Sequence, residues 1–381
     1  MIENRMNKIF TKIYKKASKP QNQIPLDYEK DKFVLFSDHH KGDKSYADDF
    51  KKNATLYSTA LIYYKDHGFN LIVLGDNEEL WEDRYDQVLL NYKKIIQKEV
   101  DMALESQGKK KIRLWGNHDK EISLRRFKRF YKSLETKVLD NVEYREGVCL
   151  GKDIFLIHGH QGRFFDDKAW RFSRWIVQFI WKSFQKLFRI GLDGPAENFK
   201  IRDDLELKYY NWAKKNKIML ICGHTHRAIF GSLTHYDRLQ MDIHYLEKEM
   251  RKCSKESRED IQKEIKNKKD ESRKILLSRM GKEPKKFTSG STNPVPCYFN
   301  DGCCCYTNGI TCIEIDRGYI RLIKWQRHKK KRIVFAEKNL KILLEYIKKR
   351  KPIDKFIEPK TLENNSLSHF PYQDKIDYFP Y

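Results

Sequence analysis

Apolar residues in this chain gather in short unbroken runs, and most of the runs end in a polar cluster. Phe33-Val34-Leu35-Phe36, Leu71-Ile72-Val73-Leu74, Ile112-Arg113-Leu114-Trp115, Ile154-Phe155-Leu156-Ile157 and Ile218-Met219-Leu220-Ile221-Cys222 are the clearest cases. Runs of this length, rich in β-branched and aromatic residues, predict buried strands. Val148-Cys149-Leu150 precedes the fourth run across a Gly151-Lys152-Asp153 turn, which predicts a hairpin. Between the first runs, residues 47–67 (Leu56, Ala60, Tyr63 and Tyr64 on one face) and 85–107 carry helical periodicity. Residues 297–327 return to strand pattern. Cys297-Tyr298-Phe299 meets a turn at Asn300-Asp301-Gly302, a strand over Cys303 to Tyr306 follows, and Thr311–Ile315 with Tyr319–Trp325 completes a meander. A helix over 337–349 and a Pro- and Asn-bearing tail close the chain. Strand, polar cluster, helix, repeated, predicts an α/β architecture with one functional edge, because ligands gather at the carboxyl ends of parallel strands.

Two insertions and an N-terminal segment interrupt the repeat. Residues 1–32 hold a basic amphipathic helix with Met6, Ile9, Phe10 and Ile13 at helical spacing. It suits docking on the domain surface, with membrane-surface contact as the alternative. Around 163–215, Arg171, Arg174, Gln178, Lys182, Gln185 and Arg189 form a narrow polar stripe on a helix otherwise covered by Trp, Phe and Ile. Such a helix packs into a cap or a partner; its sharper reading is a lid over an apolar portion of substrate. Around 236–285, Leu239, Ile243, Leu246, Met250 and Cys253 make a seam in Lys- and Glu-rich surroundings, resumed by Ile261 and Ile265. That predicts a charged helical hairpin. The expected organisation is an N-terminal helix over 1–32, a main domain over 33–327 containing both insertions, and a C-terminal helix with a loose tail over 328–381.

Composition narrows the partners. The formal net charge is +24 in 381 residues, which attracts phosphorylated metabolites, nucleic acid or an anionic lipid surface. Aromatic residues make up 13%, enough for a packed core and too many for a disordered basic tail. The eight cysteines, three of them consecutive at Cys303-Cys304-Cys305, form no C-x-x-C pair, so neither a zinc ribbon nor a disulfide framework is signalled. Core packing is the reading for the triple. No signal peptide is visible, and the apolar run Trp175 to Trp181 is too short to span a bilayer. The expected location is cytoplasmic, with a peripheral membrane association allowed by the charge.

The polar clusters carry the chemistry. Ser37-Asp38-His39-His40, Gly75-Asp76-Asn77-Glu78-Glu79, Gly116-Asn117-His118-Asp119, His158-Gly159-His160 and Gly223-His224-Thr225-His226 each follow a predicted strand. Mixed carboxylate, imidazole and amide donors suit borderline or hard divalent ions, with manganese first and iron or zinc as alternatives. Asp76 can bridge two ions, and Asp38, His40, Asn117, His158, His224 and His226 can divide three and three around them. Two ions ~3.5–4 Å apart activate a bridging water and clamp a phosphoryl group for in-line displacement. His118 would protonate the leaving oxygen or stabilise charge on phosphorus, with Asp119 fixing its tautomer. Lys41, Lys120 and Arg227 adjoin these clusters and are candidate phosphate contacts.

In order, Asp38-x-His40, Gly75-Asp76-x-x-Glu79, Gly116-Asn117-His118-Asp119, His158 and Gly223-His224-x-His226 resemble the calcineurin-like metallophosphoesterase family. The resemblance covers roughly 33–230 and the closing strands near 297–325. It implies a β-sandwich flanked by helices. It also implies one metal at Asp38, His40, Asp76 and His226, a second at Asp76, Asn117, His158 and His224, and His118 as the catalytic histidine. Gly75 to Trp81 and the helical insertion after His158 are similar to the UDP-2,3-diacylglucosamine hydrolases, whose insertion caps acyl chains. Those enzymes carry Arg in place of His118 and lack an insertion like 236–285. The resemblance implies a phosphorylated small-molecule or lipid-linked substrate, and a nuclease on the same metal site is the alternative.

Overall fold

The computed structural model describes residues 2–105, 111–123, 142–161, 195–251, 255–279, 281–288, 293–306, 309–327 and 330–351. Residues 163–194 of the cap insertion expected over about 163–215, and the tail beyond 351, lie outside them.

Among the described residues, thirteen strands form two sheets. They are β1 (Lys32–Phe36), β2 (Asn70–Val73), β3 (Lys111–Leu114), β4 (Val142–Arg145), β5 (Gly147–Leu150), β6 (Ile154–Ile157), β7 (Met219–Cys222), β8 (Ile229–Phe230), β9 (Leu233–Thr234), β10 (Tyr298–Asn300), β11 (Gly309–Asp316), β12 (Tyr319–Gln326) and β13 (Lys331–Asn339). One sheet runs β13-β12-β11-β1-β2-β3-β4, the other β5-β6-β7-β10-β8-β9. β1 to β4 are parallel neighbours, as are β6, β7 and β10.

Alternation along each strand decides which core it feeds. Phe33, Leu35, Ile72, Leu74, Ile313 and Ile315 point into the space between the sheets, where they meet Leu156, Leu220 and Phe299. Val34, Phe36, Leu71, Val73, Cys312 and Ile323 point the other way, against α2 (Ala54–Asp66) and α3 (Tyr85–Glu105). The sandwich flanked by helices expected from the sequence is therefore present. No helix among the described residues is long and apolar enough to cross a membrane.

The N-terminal helix α1 (Ile2–Ala17) sends Met6, Phe10, Ile13 and Ala17 into the inter-sheet core. Phe10 stacks on Tyr209 with centroids 5.5 Å apart. Burying Met6, Phe10 and Ile13 is worth about 1.5–3 kcal/mol each, which anchors the helix and uses up its apolar face. Tyr209 belongs to α4 (Pro195–Asn216), whose Tyr210, Trp212 and Ala213 are also buried in that core. The charged insertion folds as α5 (His235–Met250) and α6 (Lys255–Ser278), with Leu239, Ile243 and Ile265 buried. α7 (Leu340–Lys349) follows β13, capped by Asn339, whose side chain accepts from Ile342 N–H at 3.0 Å.

Three expectations need correction. Cys303 to Tyr306 is a loop, because its backbone bonds go elsewhere: Cys304 N–H donates to Asp38 O (3.1 Å), and Thr311 N–H donates to Cys303 O (3.2 Å). The start of the predicted 337–349 helix belongs to β13, an edge strand whose half-exposed charged side chains hide its alternation. The predicted helix over 47–67 is split, with a short 3-10 turn at Asp49–Lys52 before α2.

Candidate metal centre

The parallel strands bring five motif loops to one edge of the sandwich. Two glycines permit the approach. A Cβ on Gly75, whose φ is +110°, would sit 2.7 Å from His158 Nδ1, and one on Gly223 would sit 2.6 Å from Asp38 Oδ2. The donors themselves sit on bent backbone. Asp38, His40, Asp76, His224 and His226 all have positive φ, between 48° and 67°. Left-handed non-glycine residues cost about 1–3 kcal/mol each and persist only where surrounding structure holds them.

Among the described residues three groupings result: one joins His40 to Glu79 and His118, and the other two consist of predicted donors alone. Asp38, His40 and His226 lie close enough to share an ion, and so do Asp76, His158 and His224. His226 Nε2 is 3.1 Å from Asp38 Oδ1, and His158 Nε2 is 3.1 Å from Asp76 Oδ2. His40 Nε2 lies 3.9 Å from both Asp38 Oδ1 and Asp76 Oδ2, so Asp76 faces both groups. Asn117 lines the same cleft, a hollow of about 340 Å³ that also exposes His40, His118, His224 and Cys305. All seven predicted donors thus meet in one place.

Whether they suit cations can be judged from what the donors leave unused. Asp38 Oδ1, Asn117 Oδ1 and His158 Nε2 are buried and make no hydrogen bond. Their other atoms are engaged. Asp38 Oδ2 accepts from Ser37 Oγ–H (2.5 Å) and His224 N–H (2.9 Å), Asp76 Oδ1 accepts from His118 N–H (2.8 Å), and His158 Nδ1–H donates to Leu74 O (2.9 Å). One face of each group is tied down while the other points inward, the pattern of outer contacts that orient metal ligands. Asn117 Oδ1 has no hydrogen bond, and Asp38 Oδ1 and His158 Nε2 meet fellow donors of their own groups in ion pairs at 3.1 Å, so the inward-facing atoms fit divalent ions.

Electrostatics agree. Burial alone would raise the Asp38 and Asp76 carboxyls; neighbouring imidazoles outweigh it, His226 and His158 at Asp38, His158 and His118 at Asp76, and hold both well below the usual range. Burial would lower the imidazoles, but the same carboxylates lift His158 to about 9 and His226 to about 10. Without cations, protons take up the excess negative charge, and ligation must displace them.

A model of the calcineurin-like phosphoesterase family matches residues 31–228. The chain belongs to that family. No curated protein matches it. Membership together with the two donor groups makes the protein a metal-dependent phosphoesterase in general terms.

Around this family site, three details differ from the sequence reading. His118 Nδ1 pairs with Glu79 Oε1 at 2.7 Å, so Asp119 does not fix its tautomer. Asp119 is fully buried and accepts from Gly116 N–H (2.6 Å), Asn77 N–H (2.8 Å) and Arg113 Nη2–H (2.6 Å), holding the loop rather than touching the cleft. Glu79 also takes His40 Nδ1 at 2.8 Å, and contact with both histidines outweighs burial to bring its carboxyl down to about 2. Its place in the Gly75-Asp76-x-x-Glu79 motif was the available signal. Lys41 and Arg227 are not phosphate contacts. Lys41 Nζ is buried on Asn77 Oδ1 (2.7 Å) and Glu99 Oε1 (2.8 Å), and Arg227 Nη1 pairs with Asp203 Oδ1 (2.7 Å). Lys120 Nζ rests over the Trp115 ring, 5.3 Å from its centroid. Cys305, read as core, lines the cleft, with its Sγ 3.2 Å from Asp38 O and 3.1 Å from His39 O. Consecutive cysteines give no periodicity from which a loop can be told from a strand.

Proposed function

We propose that the protein hydrolyses phosphate esters or pyrophosphates on two divalent ions. Asp38, His40, Asp76 and His226 would hold one ion, and Asp76, Asn117, His158 and His224 the other. The observation that carries this reading is the place of Asp76 Oδ2, 3.1 Å from His158 Nε2 and 3.9 Å from His40 Nε2, between the two donor groups. Divalent ions bound there supply Lewis acidity to phosphoryl oxygens and acidify water at neutral pH.

The chain's own part is orientation and proton supply. Glu79 accepts the Nδ1–H of His118, which leaves Nε2 as the nitrogen that holds the transferable proton. Burial opposes the charged imidazolium, but Glu79 and Asp76 outweigh it and raise its pKa, which suits the ring to an acid's role. Manganese is the expected metal, since the donors are oxygen and imidazole without thiolate.

A nuclease on the same centre is the second reading, favoured by the +24 net charge. The described lining of the cleft counts against it. Asp43, Asp48, Asp49, Glu82 and Asp83 border the donors there, with no Lys or Arg among the described lining residues. A polyanion gains little from such a rim.

The deciding experiment is Mn²⁺ titration by calorimetry, followed by turnover assays on p-nitrophenyl phosphate, bis-p-nitrophenyl phosphate, a nucleotide-sugar pyrophosphate, a nucleotide-linked lipid and a single-stranded oligonucleotide. Uptake of two ions with hydrolysis of a small ester or pyrophosphate is expected. No divalent uptake, or uptake with no turnover on any substrate, overturns the reading; cleavage of the oligonucleotide alone establishes the nuclease.

A further inference from the structure

Trp81 is only partly buried and lies beside the motif loops rather than in either core. Its ring lies nearly parallel to the His118 imidazole, centroids 4.2 Å apart and planes 20° apart. Its Nε1–H donates to Asn117 O at 2.7 Å, and its backbone N–H donates to Glu79 Oε1 at 3.3 Å. That carboxylate oxygen is the one that holds His118 Nδ1. On another side, the His40 ring meets His118 edge-on, with centroids 4.6 Å apart at 82°.

The imidazole is thus fixed in two independent ways. Glu79 sets which nitrogen faces inward, and the indole face sets the plane of the ring. A bond to Nδ1 alone leaves the ring free to rock about that contact; a parallel aromatic face removes the rocking. We infer that Trp81 is a positioning residue for His118, holding the imidazole ring so that Nε2 points at the leaving oxygen. The inference rests on the reading of His118 as the acid.

In that step the P–O bond to the leaving group breaks, and its electron pair goes to the leaving oxygen. The His118 Nε2 proton moves to that oxygen, and an oxygen from water forms the new P–O bond, the water's two hydrogens staying with the phosphate product. The products are an alcohol, a phosphate and neutral imidazole. A nitrophenolate departs without the proton, whereas an alkoxide requires it. Misplacing the acid therefore penalises alkyl esters selectively, a signature that loosened packing does not produce.

The test uses the full chain loaded with Mn²⁺ and paired substrates, p-nitrophenyl phosphate with ethyl phosphate and p-nitrophenyl methyl phosphate with ethyl methyl phosphate. Trp81→Leu is expected to lose roughly 10²-fold in kcat on the ethyl ester and under roughly 5-fold on the nitrophenyl ester, within the range that general acid catalysis supplies. KM and calorimetric Mn²⁺ affinity should stay near wild type, which also reports an intact fold. Trp81→Phe, which keeps an aromatic face, should recover most of the ethyl-ester rate, and His118→Ala should show the same leaving-group selectivity more strongly. Equal losses on both leaving groups, a change confined to KM, or Trp81→Phe as impaired as Trp81→Leu overturns the positioning role while the phosphoesterase reading stands. A wild type inert on every ester overturns the positioning role, which needs an alkoxide leaving group, and one inert on the nucleotide-sugar pyrophosphate as well takes down both readings.

Discussion

The motif-loop edge and the charged helical hairpin are both dense in ionisable residues, and they use them in opposite ways. In the hairpin, polar side chains reach one another across the seam between α5 and α6. Lys268 meets Asp242 at 2.7 Å, Gln240 meets Ser272 at 2.6 Å, and His235 meets Glu271 at 2.8 Å. Among its described residues, no non-glycine backbone is left-handed. At the edge, five donors sit at positive φ, and Asp38, Asn117 and His158 each keep a buried atom without a hydrogen bond. Charge that is paired on relaxed backbone holds a structure together. Donors held on strained backbone, aimed inward and short of hydrogen bonds, store a binding capacity that folding alone does not need.

The strongest way to break that contrast is to disable the shared carboxylate. Asp76→Asn is expected to abolish uptake of at least one ion and to cost more activity than any other single change, beyond the ~10²–10⁴-fold of a lost general acid. Metal analysis and turnover check it; an Asp76→Asn variant that still binds two ions would remove the basis of the comparison.

Next in size are the two carboxylates of neighbouring motifs. Glu79→Gln should cost roughly 10–100-fold in metal affinity or activity, because it orients His40 and His118, with little change in Tm. Asp119→Asn should instead destabilise the fold by about 3 kcal/mol, since it leaves a buried ionic contact of Arg113 weakened. Denaturant melts beside steady-state kinetics separate the two; equal effects on both readouts would erase the distinction between cleft-facing and inward-facing acids.

Smaller, and sharper in sign, is the proton balance of metal binding. His158 and His226, raised to about 9 and about 10, are protonated at pH 7.5 in the metal-free protein. Loading with Mn²⁺ must displace those protons, on the order of two per protein, so affinity rises with pH. Calorimetry in buffers of different ionisation enthalpy measures the release. Uptake without proton release, or affinity falling as pH rises, contradicts the assignment of these imidazoles as ligands.

Least of all for chemistry, Leu239→Ala in the hairpin should cost about 2–4 kcal/mol of stability and leave Mn²⁺ affinity unchanged. Leu239 is 2% exposed, so the loss is one of packing. A drop in metal affinity would join the hairpin to the centre and blur the two regions.

Along the chain, apolar runs alone determined where most strands lie and that their polar ends share an edge, since alternation and strand length are local properties. They also determined the donor types, because each motif sits directly after its strand. What they left open were the features set by distant neighbours. Glu79 rather than Asp119 pairs with His118 because the folded loop turns Asp119 inward onto Arg113, two strands' worth of chain geometry that spacing does not encode. Cys303 to Cys305 became a cleft-lining loop because Asp38 and Thr311 take its backbone bonds, and β13 was hidden because an edge strand buries too little to show a period. Local pattern sets what a segment can be; which of two equal carboxylates meets a given histidine is decided only when the sheets pack, because that contact exists between residues that the sequence keeps apart.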